Sequence, residues 1–152
     1  MSQTHRYLCF NLGTEEFAIP LLSVREVIGV PDITVIPQVP AHFLGIMNLR
    51  GLIISVMDLR LKLGLKPQQS EETAVIILDL GDYQLGMMVD QVNSVIQLSD
   101  DQIAEKPALE ASKINDAVTG VFRKNEQLVL LLNVAKALSV EDRSAVTRAQ
   151  AS

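Results

Sequence analysis

Two stretches of this chain can be laid over one another without a gap. Placing Tyr7–Ile28 on Val75–Ile96 brings Leu12 onto Leu80, Gly13 onto Gly81, Val24 onto Val92, Val27 onto Val95 and Ile28 onto Ile96. Between these identities apolar meets apolar: Leu8 with Ile76, Phe10 with Leu78, Phe17 with Leu85, Ile19 with Met87 and Leu21 with Val89. Further along, a second register takes over. Gly45 falls on Gly120, Asp58 on Asn133 and Leu63 on Leu138, while Ile53, Ile54, Val56 and Met57 meet Leu128, Val129, Leu131 and Leu132. An insertion in the second half, around Asp101–Asn115, accounts for the change of register. An ordered series of this kind marks a diverged duplication, and it obliges the chain to build one unit twice.

Each copy reads alike. A strand (Tyr7–Leu12, Val75–Leu80) meets a glycine-containing turn, Gly13-Thr14-Glu15-Glu16 or Gly81-Asp82-Tyr83-Gln84, and a second strand follows (Phe17–Leu21, Leu85–Val89). Short apolar runs flanking such turns are hairpin signals. In Leu22–Ile28 the spacing of Val24, Val27 and Ile28 favours a short helix, with a strand as the alternative. A proline-containing connection comes next, Pro31–Pro40 in one copy and Lys106–Pro107 in the other. Two strands around a turn close each copy: Gly45–Leu49 into Leu52–Leu59, and Val118–Arg123 into Leu128–Val134. About five short strands per copy predict an all-β chain of two small barrels. At about 65 residues neither copy buries its apolar faces well alone, so the two are expected to pack on a shared aliphatic core. We assign residues 1–152 to one domain, 7–70 to the first barrel half and 74–139 to the second, with exchange of strands between halves left open. Residues 140–152 read as a C-terminal helix or tail, since Ser139-Val140-Glu141-Asp142 has an N-cap and acids in its first turn.

Composition narrows the function. The 152 residues are 48% hydrophobic but only 4% aromatic, so aliphatic side chains must fill the interior. The net charge is −5 and no run of Lys or Arg appears, which argues against nucleic acid and against an anionic membrane surface. The single cysteine, Cys9, excludes an internal disulfide and sits in an apolar stretch. Met1–Arg6 does not read as a signal peptide. No apolar run reaches the roughly 18 residues of a membrane helix, so no direct membrane insertion is expected.

Little in the sequence points to chemistry. His5 and His42 lie away from any Cys or carboxylate at ligand spacing. Gly13 and Gly81 are isolated turn glycines, and no nucleophile elbow is present. Asp58 lies within a strand pattern and Asp90 at the end of another; bonding to nearby backbone N–H groups explains each, with a buried acid of raised pKa as the alternative. We therefore expect no catalytic residue, no metal and no cofactor. What the copies do not share is more informative. The turn Asn48-Leu49-Arg50-Gly51 stands where the second copy has Arg123-Lys124-Asn125-Glu126. Turn chemistry accounts for Asn48 and Gly51, but does not require Leu49 or Arg50. Glu26 stands where the second copy has Ser94; it is either a solvated acid or a partner that orients Arg50.

At this point the sequence resembles the CheW family. The resemblance rests on Phe10-Asn11-Leu12-Gly13 with Glu16-Phe17-Ala18-Ile19-Pro20, on Val24-Arg25-Glu26-Val27-Ile28, and on Gly45-Ile46-Met47-Asn48-Leu49-Arg50-Gly51-Leu52-Ile53 running to Val56-Met57-Asp58-Leu59-Arg60. Gly86-Met87-Met88-Val89-Asp90-Gln91-Val92 completes it. It covers about residues 7–139. Ser55 departs from the proline frequent there. The resemblance implies a CheW-like domain of two SH3-like five-stranded barrels with short helices. It implies a cytoplasmic bacterial adaptor in chemotaxis signal transduction. Such an adaptor couples chemoreceptor (methyl-accepting) cytoplasmic tips to the regulatory domain of a CheA-type histidine kinase in membrane-associated arrays. In that family the residues matching Val24, Glu26, Gly45, Arg50 and Gly51 are associated with receptor coupling; with Asn48 and Leu49 they form the expected receptor-binding set. The kinase-binding face is left unassigned, as is self-association in array rings. The alternatives are a coupling protein serving a non-flagellar pathway and a small-ligand-binding module. No receiver or kinase domain is attached, so a fused CheV-type regulator is not expected.

Overall fold

A computed structural model describes residues 4–37, 39–68, 70–81, 83–104 and 117–138. The expected helix or tail at 140–152 and the Lys106–Pro107 connection lie outside the described residues. Among the described residues ten strands form two five-stranded sheets. In chain order they are β1 Thr4–Leu12, β2 Glu15–Pro20, β3 Val24–Gly29, β4 Phe43–Leu49, β5 Leu52–Asp58, β6 Ala74–Asp79, β7 Gln84–Val89, β8 Gln91–Ser99, β9 Val118–Lys124 and β10 Gln127–Leu132. The first sheet runs β8-β1-β2-β10-β9 and the second β3-β6-β7-β5-β4.

The duplication is written into the hydrogen-bond registers. Leu8 faces Ile19 as Ile76 faces Met87, and Phe10 faces Phe17 as Leu78 faces Leu85. Gly45 faces Val56 as Gly120 faces Leu131. Even the irregularities repeat: the shift between Val24 and Glu26 against β6 matches the one that sets Val92 against Phe10. Yet the sheets do not follow the copies. The β1–β2 hairpin joins β8, β9 and β10, and the β6–β7 hairpin joins β3, β4 and β5. Two parallel pairings, β2 with β10 and β7 with β5, complete this reciprocal exchange.

Alternation then sorts the core into three bodies. Cys9 and Ala18 point into the first barrel with Phe122, Val129 and Leu131. Val75 and Ile77 point into the second with Met47, Ile54 and Val56. The opposite faces of the same strands, carrying Leu8, Phe10, Phe17, Ile19, Ile76, Leu78, Leu85 and Met87, meet in a seam between the barrels. Strands buried on both faces read as continuous apolar runs rather than alternating ones, as in Val75-Ile76-Ile77-Leu78. Burial inside the first barrel, with Glu16 next in effect, pushes the Cys9 thiol up to about 11. It therefore stays protonated and unreactive near neutral pH.

One local expectation is overturned. Leu22–Ile28 is not a helix: a single 3₁₀ turn at Leu21–Ser23 leads into β3. The apolar spacing reflects a bulged edge strand laid along β6. Its β-branched Val and Ile side chains suit a pleated surface better than a helix. Two short helical turns, Leu59–Lys62 and Val134–Ala137, follow β5 and β10, capped by Asp58 on Arg60 N and by Asn133 on Lys136 N.

The cap at Asp58 belongs to a buried ionic cluster that the sequence did not announce. Arg60 is 2% exposed. Its Nε and Nη2 donate to the two carboxylate oxygens of Asp58, each at 2.9 Å, and Nη1 donates to Asp90 Oδ1 at 2.7 Å and to the Gln68 carbonyl at 2.7 Å. Asp90 Oδ2 accepts from Gly13 N at 2.5 Å. These bonds, Asp58 first, hold the guanidinium pKa above its ordinary value against the opposing effect of burial. The cluster thus ties β5 of one barrel to the β1–β2 turn of the other.

Removing one partner of a buried ion pair strands the other charge. Arg60→Met should therefore cost about 3–5 kcal/mol in urea unfolding, and adding Asp58→Asn should restore part of it. Gly45 has φ +145°, and a Cβ there would lie 2.0 Å from the Thr34 carbonyl oxygen. Gly45→Ala should lose at least about 2 kcal/mol in the same assay.

Candidate functional site

In the second sheet, β3 and β4 are the two edges. Glu26 projects from β3, and Arg50 stands at the tip of the β4–β5 hairpin. The guanidinium Nη2 donates to Glu26 Oε1, so the pair reaches from one edge strand to the hairpin that carries the other. The Arg50 side chain remains 69% exposed and that of Glu26 26%. The acid is therefore sheltered while the cation faces outward. Of the two readings of Glu26 that the sequence left open, the structure shows the partner of Arg50.

The turn is a two-residue connection with positive φ at both central positions, Arg50 (+53°) and Gly51 (+91°). Asn48 Oδ1 accepts from Gly51 N at 2.8 Å and fixes its geometry. Glycine and asparagine suit such a turn; arginine there costs about 1 kcal/mol or more. The matching turn of the other copy has Asn125 at that place, with φ +48°. Arg50 thus stands against local preference at an exposed tip, the kind of position where strain signals a function.

The remaining residues of the expected set are placed as follows. Val24 is half-buried against the seam. Leu49 is half-buried against the interior of the second barrel, which gives its apolar character a packing role as well. Gly45 is buried beneath the Ile33–Thr34 backbone, where Thr34 and Ile46 exchange hydrogen bonds at 2.8 and 2.9 Å. It shapes the edge that carries the site. Asn48 and Gly51 are exposed. Asn48, Arg50 and Gly51 are therefore the exposed members, with Val24, Glu26 and Leu49 half-buried beside them.

Beside the turn lies a depression of about 490 Å³, running from Gly51, Leu52 and Ile53 to Asp79, Gly81, Tyr83 and Gln84. The corresponding place on the other barrel carries a polar network. Lys124 Nζ donates to Glu16 at 3.2 Å, and Asn93 donates to Glu16 at 2.9 Å and to Asn11 at 3.0 Å. The matching positions in the second barrel hold Leu49, Gln84, Arg25 and Asp79, of which Gln84 and Asp79 line the depression. Sequence reasoning alone misses this hollow. The replacement of Lys124 by Leu49 and of Glu16 by Gln84 is the signal that could have found it. Asp58 and Asp90, the acids of interest in the sequence, are engaged by Arg60.

Comparison with known proteins identifies the family and the fold. The CheW-like domain model matches residues 6–142. A chemotaxis protein CheW from Klebsiella aerogenes is 34% identical over 141 residues, 92% of this chain and 85% of that protein. One from Helicobacter pylori is 31% identical over 134 residues, 88% and 81% of the two chains. The crystal structure of the scaffolding protein TtCheW from Thermoanaerobacter tengcongensis superposes with a TM-score of 0.79 at 29% identity, covering 86% of this chain and 90% of that one.

Replacing Arg50 by Asn removes the cation and the pair to Glu26 but suits the turn. Arg50→Asn should keep unfolding stability within about 1 kcal/mol of the parent, measured by thermal denaturation. A larger loss would mean that the pair to Glu26 holds the hairpin in place.

Proposed function

This chain belongs to the CheW-like domain family, and on that premise we propose that it is a chemotaxis coupling adaptor whose receptor contact is organised around the Glu26–Arg50 pair. The observation that carries the reading is an arginine kept at a left-handed turn position and oriented by an acid from another strand. A cation held in this way meets its partner with little left to order, which favours a specific contact over a merely sticky one.

In this reading a receptor's helical hairpin lies in the groove between the two barrels and touches Val24, Leu49 and Arg50. The regulatory domain of a CheA-type histidine kinase binds the apolar tip of one barrel. The adaptor performs no chemical step. It transmits a receptor change through differential affinity for the kinase's two states. Weak individual contacts suffice, because many copies in an array supply avidity. No helix among the described residues is long and apolar enough to cross a membrane. The chain works in the cytoplasm and reaches membrane-associated arrays by binding the receptors.

Calorimetric titration with the regulatory domain of a CheA-type kinase from the same cell should give saturable one-to-one binding. Arg50→Glu should weaken receptor binding at least tenfold and abolish receptor-dependent kinase activation. An Arg50→Glu protein that binds and activates like the parent would remove Arg50 from the receptor contact.

A further inference from the structure

Among the described residues the chain passes between the two sheets twice, at Pro20–Val24 and at Val89–Gln91. The two crossings are equivalent in the duplicated frame, with Leu22 standing where the other has Asp90. They are held differently. At the first, Leu22 offers no polar side-chain group; Asn133 and Ala135 match Asp58 and Arg60 there, beside a cavity of about 80 Å³. At the second, Asp90 is bonded to both barrels. Its N–H donates to the Asn11 carbonyl at 3.1 Å and its Oδ2 accepts from Gly13 N, both in the β1–β2 hairpin of the first barrel. Its Oδ1 accepts from Arg60 Nη1 at 2.7 Å, just beyond β5 in the second.

Asp90 is more than the burial of Arg60 requires. Asp58 already meets the guanidinium with both carboxylate oxygens and neutralises it. A second carboxylate, 19% exposed, leaves the cluster with one net negative charge, which burial penalises. What this second acid adds is a directional bond between the barrels. The seam is packed from apolar side chains such as Leu8, Phe10, Ile76 and Met87. Their attraction holds two surfaces together without fixing the angle between them.

We propose that Asp90 is a positioning residue: through Gly13 and Arg60 it locks one crossing and so fixes the angle at which the barrels meet. The use of that angle rests on the coupling reading given above. A receptor seated on the Glu26–Arg50 face of the second barrel acts on anything bound to the first only through this angle. A loose seam absorbs the receptor's change as a rocking of one barrel on the other, whereas a clasped seam passes it on.

The test is Asp90→Asn in the full chain. The amide oxygen can still accept from Gly13 N, while the NH₂ group turns a donor toward the guanidinium and ends the bond to Arg60. Arg60 stays paired with Asp58, so this variant should fold and melt above Arg60→Met. Spin labels on Gln97→Cys of β8 and Arg25→Cys of β3, both exposed strand positions, read the distance between barrels; Cys9 is buried and stays unlabelled. The parent should give one narrow distance distribution, and Asp90→Asn should shift it or widen it at least twofold. Amide exchange at Gly13 should be unchanged in Asp90→Asn and at least tenfold faster in Asp90→Ala, which tells the bond to Gly13 from the bond to Arg60. Affinities for the isolated receptor hairpin and for the kinase regulatory domain, each alone, should stay within twofold, while receptor-dependent kinase activation falls at least tenfold. That split between binding and activation separates a positioning residue from a merely stabilising one.

Unchanged distances in both Asp90 variants overturn the proposal. So does loss of affinity for either partner alone, which would put Asp90 in a contact face, and so does failure of both variants to fold. Parent-level activation with a widened distribution overturns the role of the angle and leaves the coupling reading standing. A parent that binds neither partner overturns the coupling reading and that role together, and the distances then decide the clasp by themselves.

Discussion

The parallel pairings of β2 with β10 and of β7 with β5 join each N-terminal hairpin to strands from the other copy. Because of them, β1, β2, β6 and β7 are each walled on one face by a barrel interior and on the other by the seam. Neither barrel is complete without strands from both copies, so the seam is an internal core rather than an interface between two independently closed units. Long-range pairing of this kind carries a loop-closure cost that only simultaneous burial of the three cores offsets. The ionic cluster is positioned by the same arrangement. Asp90 sits where the chain leaves β7 for β8, passing from one sheet to the other, and there its carboxylate reaches both Arg60 and Gly13.

On this nearly symmetric frame, the differences between copies carry the specific chemistry. Three places show it. The hairpin tip holds Arg50 where its mate holds Asn125, and Glu26 stands ready beside it where the mate strand has Ser94. The flank of that hairpin is a hollow lined by Gln84, where the mate has Glu16 bonded to Lys124. One end of the seam is held by a buried arginine, while the other end has an alanine and a cavity. Shared positions such as Gly45 and Gly120 serve the frame, since both let a crossing backbone approach closely. A coupling protein needs distinct faces for distinct partners, and divergence of a duplicated fold supplies them without rebuilding the core.

Much of this is legible in the amino acids alone. The two repeat registers reappear residue for residue in the strand pairings, because apolar alternation records which face of each strand is buried. The Arg50 turn and Glu26 are legible for a related reason: where two copies share a fold, an unshared residue is freed from the fold's demands. The helix expected at Leu22–Ile28 failed because Val24, Val27 and Ile28 also fit a bulged strand, and a free edge on β6 settled the choice. Arg60 gave no sign of burial, since a basic residue after a strand usually reaches solvent. Only its proximity to Asp58 and Asp90 in space makes the interior tolerable.

The amino-acid sequence by itself determined most of the strands, the duplication, the aliphatic interior and the two unshared polar residues, because each follows from local periodicity or from comparing the chain with itself. Tertiary structure decided which strand edges pair, and thereby the exchange of hairpins, the burial of Arg60 and the cavity beside Ala135. Backbone hydrogen bonds are alike at every strand edge, so a sequence states what each face needs but not which edge will meet it. That choice is made by the packing of all three cores at once.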